Sequence, residues 1–180
     1  GNNIGQYFFD GCTSLKSIKI PDCISTINAY GFANCTALEE LQLSASTETY
    51  GNYCFLNCTS LKTVVFPAEI IMGIMSHMFD GCTALERVEV QSLVMLNMYG
   101  FAGCTSLKEF IVHSGLSGAM VYNNFFEGCT GFTEFHIYKG QYSSMASEMF
   151  KGWTEEQTIY VHGFASYEEL IALYGTAWLD

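Results

Sequence analysis

The chain has 180 residues, 49% of them hydrophobic, enough to bury a substantial core as one domain. Asp and Glu number 18 against 7 Lys and Arg, a formal charge of −11 that repels phosphate backbones and argues against nucleic acid or an anionic membrane as partner. No apolar run reaches the roughly 18 residues of a spanning helix, so direct membrane insertion is not expected.

The chain repeats Phe-x-x-Cys-Thr-x-(Leu or Phe). Copies open at Phe9, Phe32, Phe55, Phe79, Phe101 and Phe126, and a worn seventh opens at Phe150, with spacings of 22–25 residues. A fixed period of that length marks a stacked solenoid and not a globule with one central core. Each unit then carries an apolar triple: Leu15, Ile18 and Ile20 in the first, Leu38, Leu41 and Leu43 in the second, Leu61, Val64 and Phe66 in the third. The series continues with Leu85, Val88, Val90, then Leu107, Phe110, Val112, then Phe132, Phe135, Ile137. The last two members alternate with polar residues, which predicts one short half-buried strand per unit. Identical strands recurring once per turn lie parallel and in register. Five residues before each Phe stands another apolar side chain (Ile4, Ile27, Tyr50, Ile74, Leu96, Val121, Met145), so the return segment also points one residue inward per rung.

After a final strand at Gln157–Val161 the period stops. Ser166 followed by Glu169 reads as a capping box opening a helix through about Tyr174, with Leu170, Leu173, Tyr174 and Trp178 available to cover the last rung. The expected organisation is an array of about seven units over residues 1–161 and a capping segment over 162–180. Gly1 falls inside a unit, so the first unit reads as truncated.

Three columns carry local chemistry. The residue before each Cys is Gly11, Asn34, Asn57, Gly81, Gly103, Gly128 or Gly152, the two types that most readily take a left-handed backbone, so a turn at positive φ is expected there. That turn accounts for Asn34 and Asn57 without glycosylation, although both begin an Asn-Cys-Thr sequon. Cys12, Cys35, Cys58, Cys82, Cys104 and Cys129 form a column whose seventh place is Trp153, which predicts buried free thiols filling apolar space instead of disulfides. Metal binding is not expected, because no Cys-x-x-Cys occurs and the four His are scattered. The Thr after each Cys is expected to cap nearby backbone with its hydroxyl. Two residues before each Phe stand Tyr7, Tyr30, Tyr53, His77 and Tyr99, then Asn124 and Glu148, an aromatic row read as stacked half-buried rings. Methionines such as Met72, Met75, Met78, Met95 and Met98 read as adaptable core filler.

The units FDGCTSLKSIKIP, FANCTALEELQL and FLNCTSLKTVVFP resemble the BspA-like class of leucine-rich repeats, whose consensus runs roughly aFxxCxsLxxIxiPxxvxxIgxx. The match spans residues 4 to about 161. It departs where the strand-ending Pro survives only as Pro21 and Pro67, and where the residue before Phe is bulky. The resemblance implies a leucine-rich-repeat solenoid of the right-handed β/α superhelix class, rich in β, with a continuous parallel sheet, an irregular convex side and a helical C-terminal cap. It also implies bacterial, extracellular or cell-surface location and, in some relatives, adhesion. The repeat family carries no catalytic residues and none is transferred.

Outward strand positions are where such solenoids hold their variable residues. The first column alternates in sign (Lys16, Glu39, Lys62, Glu86, Lys108) and reads as an ion-pair ladder fixing register. The second holds Ser17, Glu40, Thr63, Arg87, Glu109, Glu134 and Thr158, and the third holds Lys19, Gln42, Val65, Glu89, Ile111, His136 and Tyr160. Val65, Arg87, Glu89, Ile111 and His136 are the candidate partner-binding face. The motifs of hydrolases, zincins and P-loops are absent from the sequence, and no cofactor is expected. The sequence therefore reads as a non-enzymatic module that binds a protein or glycan, with a structural spacer as the alternative.

Overall fold

The computed structural model describes residues 2–68, 70, 73–91, 95–113, 119–140, 142–144 and 148–176. In chain order the elements are β1 (Asn3–Ile4), β2 (Ser17–Lys19), β3 (Thr26–Ile27), β4 (Glu40–Gln42), β5 (Thr49–Tyr50), β6 (Thr63–Val65) and β7 (Arg87–Val90). They continue with β8 (Met95–Leu96), β9 (Glu109–Val112), β10 (Ala119–Val121), β11 (Glu134–Tyr138), β12 (Tyr142–Ser144), β13 (Thr158–His162) and α1 (Tyr167–Tyr174). The result is a parallel β-solenoid with one main strand per repeat, closed at one end by α1.

The apolar pattern sets which side chains enter the core. Phe32, Phe55, Phe79, Phe101 and Phe126 are fully buried, and Ile27, Tyr50, Ile74, Leu96 and Val121 are buried across from them on the return side. Met145 and Trp178 of the expected inward set lie outside the described residues. Burying one such aromatic side chain is worth roughly 1.5–3 kcal/mol, repeated at every rung. The Phe rings stack along the solenoid axis, with centroids 4.9 Å apart at Phe9–Phe32 and 6.1 Å apart at Phe101–Phe126.

The strands pair in the register that the periodicity requires. Ser17, Ile18 and Lys19 face Glu40, Leu41 and Gln42, while Val65, Glu89 and Ile111 stand side by side in β6, β7 and β9. The main sheet runs the length of the solenoid, but its ladders fall into three groups: β2 with β4, β6 with β7 and β9, and β11 with β13. The lapse between β9 and β11 coincides with a cluster of rings, in which Phe126 meets Phe110, Phe125, Phe132 and Phe135 at centroid distances of 4.6–5.5 Å. The rungs are pinched together at Gly131, where a Cβ would lie only 2.6–2.8 Å from the backbone of Ser106, Thr105 and Leu107. They then part toward the strands.

The return side shows where the remaining backbone groups go. In the first five repeats the N–H groups of the aromatic-row residue, the motif Phe and the turn residue donate to carbonyls one rung on, and in the sixth those of Phe126 and Gly128 do. Tyr53, Phe55 and Asn57 reach Ser76, Met78 and Asp80 at 3.0, 3.0 and 2.8 Å. Intervening N–H groups close turns within the rung, as Leu56 to Tyr53 and Cys58 to Phe55 do. On the return side each turn is therefore bonded to the next, while the strand side lapses between β4 and β6 and between β9 and β11.

At the C-terminus Ser166 caps α1, its side chain accepting the Glu169 N–H. Glu169 reaches back to the Ala165 N–H at 2.7 Å and also pairs with Lys139 of the rung below. Leu170 and Tyr174 are buried, but Leu173, at the edge of that helix face, is about half exposed and does not cover the rung as they do.

Candidate functional site

The turn column sits at positive φ in every repeat, from 56° at Asn57 to 84° at Gly152, with Gly11, Asn34, Gly81, Gly103 and Gly128 between. The two asparagines also form a side-chain ladder. Asn57 Nδ2 donates to Asn34 Oδ1 at 3.1 Å, and Asn34 Nδ2 donates to Asp10 Oδ1 at 2.9 Å. The amide nitrogens that a glycan would occupy are already engaged in these bonds.

The thiol column does more than fill space. Cys35, Cys58, Cys82, Cys104 and Cys129 are buried and unpaired with one another, and each Sγ–H donates to the carbonyl of the motif Phe one rung back, at 3.0–3.2 Å. Trp153 continues the pattern, its Nε1–H donating to Phe126 O at 3.1 Å. A shared donor, and not shared apolarity alone, explains why Trp stands in for Cys. Burial pushes the Cys35 thiol up to about 12, and it raises Cys54 and Cys104 well above the ordinary thiol value. Cys12 departs from the expected buried column: it is exposed, because it lies on the first rung and no turn covers it in this chain. Of the following Thr hydroxyls, Thr154 caps local backbone as expected, accepting the Glu156 N–H at 3.3 Å, whereas Thr59 and Thr105 bond across rungs, to Thr36 O at 3.4 Å and Thr83 O at 3.5 Å.

The aromatic row is a continuous stack. Tyr7, Tyr30, Tyr53, His77 and Tyr99 follow one another with ring centroids 4.7 Å apart and planes within 16°. His77 is oriented by Asp80 at 2.8 Å. Where the rings end, Asn124 donates to Glu148 Oε2 at 2.9 Å and continues the row in polar form. All seven residues of this row also take positive φ, between 53° and 61°. Nothing in a tyrosine announces that conformation. The only available signal was the row's place four residues before the Gly/Asn turn.

On the strand face the five candidate residues separate into two groups. Val65, Glu89 and Ile111 are consecutive in register, and Arg87 lies beside them. Arg87 is held by Glu89 at 2.6 Å and Glu109 at 3.0 Å, and Glu89 also meets His113 Nε2 at 2.6 Å. The hydrogen bond from His113, helped by Arg87, holds the Glu89 carboxyl below its ordinary range. This network satisfies its own charges. His136 stands across the lapse between β9 and β11, yet lines one groove with Ile111, of ≈530 Å³. A second groove, ≈540 Å³, lies over the other lapse and includes Lys19, Gln42 and Val65. Of the alternating-sign column, one ion pair closes among the described residues, Lys108 to Glu86 at 3.6 Å. The other members are exposed side chains, for which solvation competes with pairing.

Beyond the expected residues the structure gathers four rings at the C-terminal end of this face. His136 stacks on Tyr160 at 5.0 Å and on His162 at 5.2 Å, and Tyr138 stacks on His162 at 4.5 Å. Strand alternation pointed to His136 and Tyr160. Tyr138 and His162 were missed because β11 and β13 extend past the triplet that the other repeats use. Among the described residues no group of three or more His, Cys, Asp or Glu side chains could hold a metal ion, and no helix is long and apolar enough to cross a membrane.

With this geometry the comparisons are informative. The family model for the BspA type leucine rich repeat region matches six copies, over residues 2–108 and 73–169. The chain belongs to this BspA type leucine-rich repeat family. Among solved structures it is similar to the T. pallidum leucine rich repeat protein (TpLRR), at 30% identity and a TM-score of 0.65, covering 73% of this chain and 60% of that one. A leucine-rich repeat protein from Bacteroides ovatus shares 20% identity and a TM-score of 0.60, covering 99% of this chain and 51% of that one. One from Eubacterium ventriosum shares 18% identity and a TM-score of 0.59, covering 84% and 45%. The latter two show the fold alone. The chain thus spans roughly half to three-fifths of the length of these proteins. No curated protein matches it. A BspA type leucine-rich repeat region is a protein-interaction or structural repeat module, and this chain is one.

Proposed function

We propose that this leucine-rich repeat module is a non-enzymatic binding domain that recognises a protein partner through the outward face of its main sheet, in extracellular adhesion or host interaction by a bacterium. One observation carries this reading. Inward columns hold the same residue types rung after rung, while outward columns change freely from Lys19 and Gln42 to Val65, Glu89, Ile111 and Tyr160. A surface that varies on a fixed scaffold is suited to recognition and has no other structural duty. Buried, un-ionised thiols are inert toward oxidants, so the Cys column is compatible with an oxidising exterior.

A spacer role is supported by a different observation, the rung-to-rung bonding along the return side that would make a stiff stalk. Labelled protein applied to host epithelial cells separates the two. Wild type is expected to bind, and the double variant Arg87→Ala, Ile111→Ser to lose binding while melting within a few degrees of wild type. Loss instead on replacing Tyr30, Tyr53 and Tyr99 by Ser, in a variant that stays folded, would make the return side the working surface. No binding by wild type would favour the spacer.

A further inference from the structure

The ring cluster on β11 and β13 shares His136 with the candidate face and extends it toward the C-terminal end, where its surroundings differ from the rest of the sheet. His136 pairs with Tyr160 and Tyr138 with His162 across the two strands, giving a two-by-two array. Tyr138 and Tyr160 are 52% and 42% exposed, a large aromatic area for a charged surface. The two imidazoles are joined edge to edge, His136 Nδ1 to His162 Nε2 at 2.9 Å, which fixes the array as one platform.

The charges beside it are one-sided. Nearby bases are already occupied: Lys139 by Glu169, Lys108 by Glu86, and Arg87 by Glu89 and Glu109. Glu134 is 60% exposed, and its one ion-pair partner among the described residues is His136, at a distant 3.8 Å. His136, Tyr138 and the Glu134 carboxylate line the groove of ≈530 Å³ between β9 and β11 together with Glu109 and Ile111, while Tyr160 and His162 stand behind them on β13. Beyond Glu109 the chain carries eight acids and only Lys139 and Lys151 as bases.

We propose that this groove takes arginine side chains from a basic, extended segment of a protein partner, the guanidinium lying on Tyr138, which His162 backs from β13, and pairing with Glu134. The inference rests on the outward sheet face being the recognition surface and adds the partner's chemistry. Arginine fits better than lysine because its planar, weakly hydrated cation stacks on rings while it presents a fork to a carboxylate. An ammonium gains the charge attraction with little of the stacking. A neutral glycan would use the rings but not Glu134.

Fluorescence anisotropy with labelled hexa-arginine and hexa-lysine peptides at low salt tests this directly. Hexa-arginine is expected to bind about fivefold or more tightly than hexa-lysine. Tyr138→Ser should weaken hexa-arginine selectively and by more than Tyr160→Ser, Glu134→Gln should weaken both peptides, and Glu40→Gln on β4 should change neither. Equal affinity for the two peptides, or equal loss in Glu40→Gln and Glu134→Gln, would overturn the site and leave only diffuse attraction to an acidic surface. So would glycan binding that depends on Tyr138 and not on Glu134. Cell binding that is lost in the Arg87, Ile111 variant, with no preference for hexa-arginine, would sink this inference alone. Selective hexa-arginine binding by a protein that binds no cells would instead sink the adhesion reading.

Discussion

Asn57 holds φ at 56° and donates its amide to Asn34 one rung back. A β-branched side chain resists that backbone, so Asn57→Val should cost about 1–2 kcal/mol, whereas Asn57→Gly loses only an exposed hydrogen bond and should stay within about 0.5 kcal/mol of wild type. Equal unfolding midpoints for the two variants would contradict the left-handed turn. The thiols give a second test. Cys12 and Cys23 are exposed and should alkylate first, while the six buried ones should react only after denaturation. Burial raises the folded Cys35 thiol from about 9 to about 12. An acid raised on folding contributes stability that is complete below its unfolded value and is lost as pH rises through the folded one. Tm should therefore fall between pH 9 and pH 12, and this component of the fall should vanish in Cys35→Ala. A Tm that is flat across that range would contradict the buried column. At this scale the sequence was legible wherever residue type limits conformation, as Gly and Asn do. It was silent where one residue type serves two ends. The thiol's donor role hid behind its apolar character until Trp153 and the Cys column were seen bonding to the same carbonyl, and the second positive-φ row hid inside tyrosines.

At the scale of elements, strand number and register followed from the period-two alternation within a 22–25-residue repeat. The lapse between β9 and β11 did not, because strand spacing depends on how whole rungs pack and on no single position. Phe110, Phe125, Phe132 and Phe135 are each acceptable inward residues, and only the structure shows all four gathered around Phe126 at the lapse. Gly131 is the complementary pinch. Adding one methyl there meets backbone on three sides, so Gly131→Ala should destabilise by about 1–3 kcal/mol through overpacking. A urea midpoint unchanged from wild type would show that rungs five and six are not in such close contact. The groove that collects Ile111, His136 and Tyr138 exists because of this lapse, which is why the candidate face was legible as a column of residues but not as a cavity.

At the scale of the whole molecule, the central claim is that each turn is bonded to the next along the return side of the core, making one stack that holds a variable sheet face in place even where the main ladder lapses. The main strands would be protected in almost any β fold, so the return side is the discriminating region. Tyr53, Phe55 and Asn57 lie outside any strand, and Asn57 is exposed, yet their N–H groups reach the next rung at 2.8–3.0 Å. Residue-resolved amide hydrogen exchange measures them directly. The bonded stack predicts that these three amides exchange as slowly as those of Val64 and Val88 in the main sheet. Exchange near unprotected rates at all three, with the strands still protected, would contradict it.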